Sequence, residues 1–211
     1  MKRFESRLAQ LCTQIHEDWV THQRDWTRPG FRAVAVHRFG VWSQGLHSRL
    51  LRAAGVRLYR ILFRYIRNHY GIELPGSTIV GRRFWIAHQG GIVIHPKAEI
   101  GDDCLIRQNV TIGAASHDRP REAPKLGNGV QVGSGAAILG NVKIGDGVRI
   151  GPNAVVMTSV PAGVIVFAAP ARILRLPQPK EASGEEKTTG SFECSVDGGL
   201  SAKGSSQWTK S

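Results

Sequence analysis

The chain has 211 residues and a formal net charge of +12, with 28 Lys+Arg against 16 Asp+Glu. Hydrophobic residues make up 41%, too many for a disordered chain and too few for a membrane bundle. The charge is uneven: residues 1–70 carry +9, residues 71–176 carry +4 and residues 177–211 carry −1, so the basic excess belongs to the N-terminal part.

The start, Met1-Lys2-Arg3-Phe4-Glu5-Ser6-Arg7, has the basic residues of a signal peptide without the apolar run behind them. No stretch of the chain approaches the ~20 uninterrupted apolar residues of a membrane span. Phe4, Leu8, Leu11, Ile15 and Trp19 recur at helical spacing, which predicts an amphipathic helix. Arg28-Pro29-Gly30 marks a break, and Phe31–Tyr70 reads as one or two further helices, so residues 1–70 form an α-helical N-terminal region. Within it Arg57, Arg60, Arg64 and Arg67 recur at steps of three and four. This basic stripe reads either as a solvated helix face or as contact with an anionic membrane surface. No nucleic-acid fold accompanies it, so nucleic acid is not an expected partner.

From residue 71 the pattern changes. Leu126, Val132, Ile138, Ile144, Ile150 and Val156 fall on one six-residue register. Ile94, Ile100, Ile106 and Ile112 keep the same step upstream, as do Leu74, Val80 and Ile86. A second column lies four residues after the first: Ala98, Cys104, Val110, Val130, Ala136, Val142, Val148, Ala154 and Val160. A period of six is neither helical nor that of a simple alternating strand. It fits a three-sided β-solenoid with about 18 residues per coil, the hexapeptide β-helix. Gly follows the aliphatic residue at 81, 101, 113, 127, 133, 145 and 151, which we assign to corners needing positive φ. The fold expected for residues 71–176 is therefore a parallel β-helix of hexapeptide repeats, mainly β.

The register breaks twice. Ile86 to Ile94 spans eight residues, an insertion of two near His88-Gln89-Gly90-Gly91. Ile112 to Leu126 spans fourteen, read as two further inserted residues around Ala114–Lys125, a polar segment with two prolines that predicts a loop. Loops on rigid scaffolds favour binding and chemistry. Residues 177–211 are poor in large apolar residues and read as a disordered tail. Cys12, Cys104 and Cys194 are odd in number and form no CxxC pair. This argues against a disulfide framework or zinc ribbon and favours a cytoplasmic location.

The stretch from Val36 to Leu174 resembles the serine acetyltransferases, within the hexapeptide-repeat acyltransferases of left-handed β-helix fold. The resemblance is carried by His37-Arg38-Phe39-Gly40-Val41-Trp42, His88-Gln89-Gly90-Gly91-Ile92-Val93-Ile94, Gln108-Asn109-Val110-Thr111-Ile112-Gly113, Gly133-Ser134-Gly135-Ala136-Ala137-Ile138-Leu139-Gly140 and Pro170-Ala171-Arg172-Ile173. It implies a homotrimer, acetyl-CoA as donor, a small-molecule acceptor with a hydroxyl, and sites in grooves between neighbouring coils. It also implies His88 as general base, a role suited to an imidazole near neutral pH, with Glu73 in place of the family's orienting Asp.

The family's Asp before the catalytic His is Ala87 here, and its second substrate-facing His is Ala123. The acceptor is thus L-serine or a sugar hydroxyl of polysaccharide or glycolipid biosynthesis. Sugar and xenobiotic acetyltransferases of the same superfamily place their base in a loop similar to Ala114-Ala115-Ser116-His117. His117, with Asn109, therefore stands as acceptor contact or alternative base. Ala114, Ser134 and Pro152 match the positions along the CoA arm, and Arg149 and Arg172 are candidates for its phosphates. Two rival readings remain. One is a metal lyase of the carbonic anhydrase type using His88, His95 and His117, for which no second His follows His117. The other is a non-catalytic β-helix scaffold. The acetyltransferase reading includes no metal ligands.

Overall fold

The computed structural model describes residues 2–169, with side chains from Arg7 onward. The expected tail at 177–211, Arg172 and the end of the 71–176 domain lie outside the described residues. Helix α1 runs over Lys2–Thr21, α2 over Pro29–Gln44 and α3 over Arg49–Tyr70. Pro29 opens α2 rather than merely separating elements, as its fixed φ and missing N–H suit a first helical turn. The Ser48 hydroxyl accepts from Leu51 N–H at the start of α3, and Gly71, at φ +62°, ends it. A left-handed C-terminal glycine turns the chain sharply out of the helix, and the first strand follows at Ile72.

Among the described residues, fourteen short strands then stack in three parallel sheets. The first contains β1 (Ile72–Glu73), β4 (Ile92–Ile94), β7 (Thr111–Gly113), β10 (Ala137–Leu139) and β13 (Val155–Val156). The second contains β2 (Ile79–Val80), β5 (Glu99–Ile100), β8 (Lys125–Leu126) and β11 (Lys143–Ile144). The third contains β3 (Trp85–Ile86), β6 (Leu105–Ile106), β9 (Gln131–Val132), β12 (Arg149–Ile150) and β14 (Ile165–Val166). Each strand pairs with its counterpart one coil later, so the chain winds as a three-sided prism. Ile86, Ile94, Ile100, Ile106, Ile112, Leu126, Val132, Ile138, Ile144, Ile150 and Val156 are all buried, with Ala98, Cys104, Val110, Val130, Ala136, Val142, Val148 and Ala154 beside them. Both columns meet in one continuous core. The Cys104 thiol, enclosed there, is pushed up to about 11 by burial and is inert as a nucleophile.

Two expectations are corrected. None of the glycines at 81, 101, 113, 127, 133, 145 and 151 sits at positive φ. A Cβ on Gly101 would lie 2.5 Å from the Gly127 carbonyl oxygen, and one on Gly145 would lie 2.3 Å from the Ala162 nitrogen. Gly101 and Gly145 are glycine because consecutive coils approach closely there. At the corner after the second sheet, the left-handed residues come two positions later, at Arg83, Asp103, Gly129, Gly147 and Gly163. The second register break is also longer than expected. Val93 pairs with Thr111, 18 residues on, but Thr111 pairs with Ala137, 26 residues on. The coil therefore gains eight residues, because Ile112 and Leu126 occupy adjacent faces of the prism rather than faces two steps apart.

The helices are tied to the first coil by buried polar groups. Arg38 Nε donates to Asp18 Oδ2 at 2.9 Å, and its guanidinium also donates to the carbonyls of Val80 at 2.7 Å and Gly81 at 2.5 Å. His22 Nδ1 donates to the Asp18 carbonyl at 2.7 Å, leaving Nε2 to accept from Ile86 N–H at 3.3 Å. His37 Nδ1 donates to the Pro75 carbonyl at 3.1 Å. One guanidinium thus bridges α1, α2 and the end of β2, and three otherwise orphaned acceptors gain partners.

Candidate active site

The strand register sets an edge. Ile86 pairs with Ile106, Ile106 with Val132 and Val132 with Ile150. Two residues beyond each stand His88, Gln108, Ser134 and Pro152, which therefore stack along the corner between the third and first sheets. The insertion at 88–91 is accommodated here. Gly90 N–H donates to the Tyr70 carbonyl and Ile92 N–H to Gly71, while Asn109 N–H donates to the Gly90 carbonyl at 2.8 Å. A Cβ on Gly91 would lie 2.2 Å from Asn109 Oδ1. Asn109, at φ +58°, thus packs under the turn that carries His88.

A cavity of about 470 Å³ opens beside this edge, lined by Arg28, Pro29, Gly30, Ala87, His88, Gln89 and Gln108. His88 is exposed. Among the described residues Gln108 Oε1 is buried without a hydrogen-bond partner, an acceptor with unmet capacity in the wall. Arg28 donates to Gln23 Oε1 at 2.5 Å and pairs with Asp25 at 3.6 Å. Neither Gln108 nor Arg28 was singled out as a site residue. Gln108 was findable, since it holds the same place after Ile106 that His88 holds after Ile86. Further along the third sheet, a second cleft of about 310 Å³ is lined by Arg107, Ser134, Arg149 and Pro152, with Gly133 and Gly151 between them. Three of the five positions assigned to the CoA arm and phosphates thus meet in one cleft.

Other candidates lie apart. Glu73, on β1, points outward between buried Ile72 and Leu74. No hydrogen bond joins it to His88 among the described residues. Ala114 and His117 follow β7, at the corner between the first and second sheets, on a different edge from His88. In that loop Ser116 Oγ accepts from Asp118 N–H at 3.2 Å and Arg119 pairs with Glu122 at 3.5 Å. His95 anchors the loop: its Nδ1 accepts from Lys97 N–H at 3.1 Å, so Nε2 donates to the Pro120 carbonyl at 3.0 Å. Both ring nitrogens of His95 are thereby engaged by backbone groups, which leaves the His88–His95–His117 metal set without its middle member. Ala123 is buried in the coil core.

Residues 123–157 match the family described as "Bacterial transferase hexapeptide (six repeats)". The serine acetyltransferase of Mycobacterium tuberculosis (strain ATCC 25618 / H37Rv) is 36% identical over 151 residues, which cover 72% of this chain and 63% of that protein. Over the greater part of its length the chain is therefore similar to serine acetyltransferases. It spans less than two thirds of the length of that curated relative. Among solved structures, serine acetyltransferase isoform 3 from Entamoeba histolytica, in complex with cysteine, superposes with a TM-score of 0.66 at 26% identity, covering 82% of this chain and 64% of that one. Serine acetyltransferase from Brucella abortus strain S19, in complex with coenzyme A, shares the fold with a TM-score of 0.66 at 24% identity, covering 82% of this chain and 71% of that one.

Proposed function

We propose that this chain is an O-acetyltransferase that moves an acetyl group from acetyl-CoA to the hydroxyl of a small acceptor. The observation that carries the reading is that His88, at the mouth of a cavity, shares one edge of the coil with the Ser134–Arg149–Pro152 cleft. In this reading the pantetheine arm lies along that edge and the thioester reaches His88. The imidazole takes the acceptor's hydroxyl proton as its oxygen bonds to the thioester carbonyl carbon. Backbone N–H groups stabilise the tetrahedral oxyanion. When the C–S bond breaks, the imidazolium returns the proton to the CoA thiolate. Glu73 supports the imidazole, as its match to the family's orienting Asp implies. Because His88 and the 114–124 loop occupy different edges, a neighbouring copy must supply the loop; a closed homotrimer does this with one repeated interface. In that arrangement His117 and Asn109 flank the acceptor, while Ala114 borders the donor arm.

L-Serine is the first acceptor to test, given the named relatives. A sugar hydroxyl is favoured as the second by one observation: among the described residues lining the cavity there is no carboxylate to hold an α-ammonium group, and Arg28 stands there instead. Thiol release from acetyl-CoA, measured with L-serine, nucleotide sugars and lipid-linked sugars in turn, tests both. With the competent acceptor, His88→Ala lowers kcat by about two or more orders of magnitude, as loss of a general base does, while coenzyme A binding survives. Full activity of His88→Ala together with a dead His117→Ala would move the base to the loop. No thiol release with any acceptor would remove the enzymatic reading.

A further inference from the structure

Helix α3 carries three faces where a buried helix needs two. At 3.6 residues per turn, Tyr59 and Ile66 point into the protein and are buried. Tyr59 donates its neighbourhood to α2 and the coil alike: its ring lies against Gly40 and its hydroxyl accepts from Gly76 N–H at 2.6 Å. A second face, an arc of about 100°, holds Leu50, Leu51, Leu58, Ile61 and Tyr65. All five are exposed, Leu50 at 84% and Ile61 at 64%. The third face, flanking this apolar arc, holds Arg49, Arg57, Arg60, Arg64 and Arg67, and Arg52 lies at its far margin. All six arginines are exposed, and the helix contains no Asp or Glu. Among the described residues none of the six enters an ion pair; Arg67 Nε donates only to Asn68 Oδ1 at 3.2 Å.

We propose that α3 docks this protein on an anionic lipid surface, its apolar arc entering the headgroup boundary and its arginines meeting lipid phosphates. A large exposed apolar face beside a basic one is the pattern of a helix lying in the plane of a membrane interface. No described helix is long and apolar enough to cross a bilayer, so the contact is peripheral. The charge decides between occupants. A second copy docked through the same face would bring six arginines from each helix together, with no carboxylate on either to offset them. A soluble polyanion would satisfy the arginines and leave the five apolar side chains in water. A bilayer carrying acidic headgroups satisfies both faces. This contact is independent of acetyl transfer and would place the coil beside acceptors embedded in the membrane.

Co-sedimentation of the full chain with vesicles of phosphatidylcholine, with and without phosphatidylglycerol, tests the proposal. Binding is expected only to the phosphatidylglycerol vesicles and weakens as salt rises. Arg57→Gln/Arg60→Gln/Arg64→Gln is expected to weaken it by about a hundredfold, from roughly fivefold per arginine. Leu58→Gln/Ile61→Gln, which leaves every arginine in place, is expected to weaken it by at least tenfold, from the apolar area withdrawn from the interface. Circular dichroism must show both variants folded; should either unfold, the single change Leu50→Gln at the most exposed position replaces it. Equal binding to both vesicle types overturns the proposal. So does unchanged binding of Leu58→Gln/Ile61→Gln, which would leave a purely ionic contact. A fall in assembly size of Leu58→Gln/Ile61→Gln in sedimentation velocity, without loss of vesicle binding, would assign the face to a second copy instead.

Discussion

His37 makes the fold sensitive to mild acid, and the size of the effect follows from its surroundings. The side chain is buried on α2, with Nδ1 donating to the Pro75 carbonyl. Burial, reinforced by the neighbouring Arg38 charge and only partly opposed by the Pro75 carbonyl, lowers its pKa from 6.5 to about 4. Above 6.5 the imidazole is neutral in both folded and unfolded chains and contributes nothing to the pH dependence. Below 6.5 the unfolded chain takes up a proton that the native His37 refuses until about pH 4. Stability is thus lost across that window as pH falls, by about 3 kcal/mol in full and about 2 kcal/mol between pH 7 and pH 5. Urea unfolding, followed by circular dichroism at the two pH values, measures the loss. His37→Asn keeps an N–H for the Pro75 carbonyl but cannot titrate, so its stability should change between pH 7 and pH 5 by about 2 kcal/mol less than that of the wild type. Burial also lowers His22, so a residual slope of the same sign should persist in the variant. Equal slopes for wild type and His37→Asn would refute the assignment.

Asp18→Asn removes the charge that offsets buried Arg38 and is expected to destabilise by about 3–5 kcal/mol, read from the urea midpoint. Asp18→Leu/Arg38→Met should recover much of that loss in the same assay, because the uncompensated charge leaves with its partner. Gly101→Ala drives a Cβ to 2.5 Å from the Gly127 carbonyl oxygen and should cost about 1–3 kcal/mol. Gly147→Ala, where the added Cβ meets nothing within 4 Å but φ is +68°, should cost about 1–2 kcal/mol from backbone conformation alone; thermal melts compare the two. Arg149→Ala should raise the KM for acetyl-CoA about tenfold with kcat held, the worth of one charge-assisted hydrogen bond of about 1.5 kcal/mol.

The coil was legible because a six-residue repeat constrains every turn of the chain at once. Each of Ile94, Ile100, Ile106 and Ile112 repeats the same message, and all four are buried. The corners were harder to read. Glycine serves both left-handed φ and close backbone approach, and the sequence does not distinguish Gly101, which needs the second, from Gly129, which adopts the first. The length of the second insertion is hidden in the sequence because two and eight differ by one full hexad: either slip leaves the same register, and only strand pairing tells them apart. His37 and Arg38 stood out in the sequence as part of a resemblance, but their work as a buried clamp depends on Asp18, Pro75 and Val80, which lie about 20 to 40 residues away. The candidate site was legible along one edge, where His88 and Ser134 keep step. The link between His88 and the loop holding His117 was not, since those residues lie on different edges of the prism.

The eight-residue insertion after Ile112 has a consequence for engineering. Its ends enter and leave neighbouring faces at Gly113 and Lys125, and the rungs above and below close around it: Val93 to Thr111 on one side, Lys125 to Lys143 on the other. The scaffold therefore treats that segment as a cassette. The length and chemistry of residues 114–122 can be exchanged for another loop while Ala123 and the hydrocarbon column beneath stay in place, without redesigning the rod.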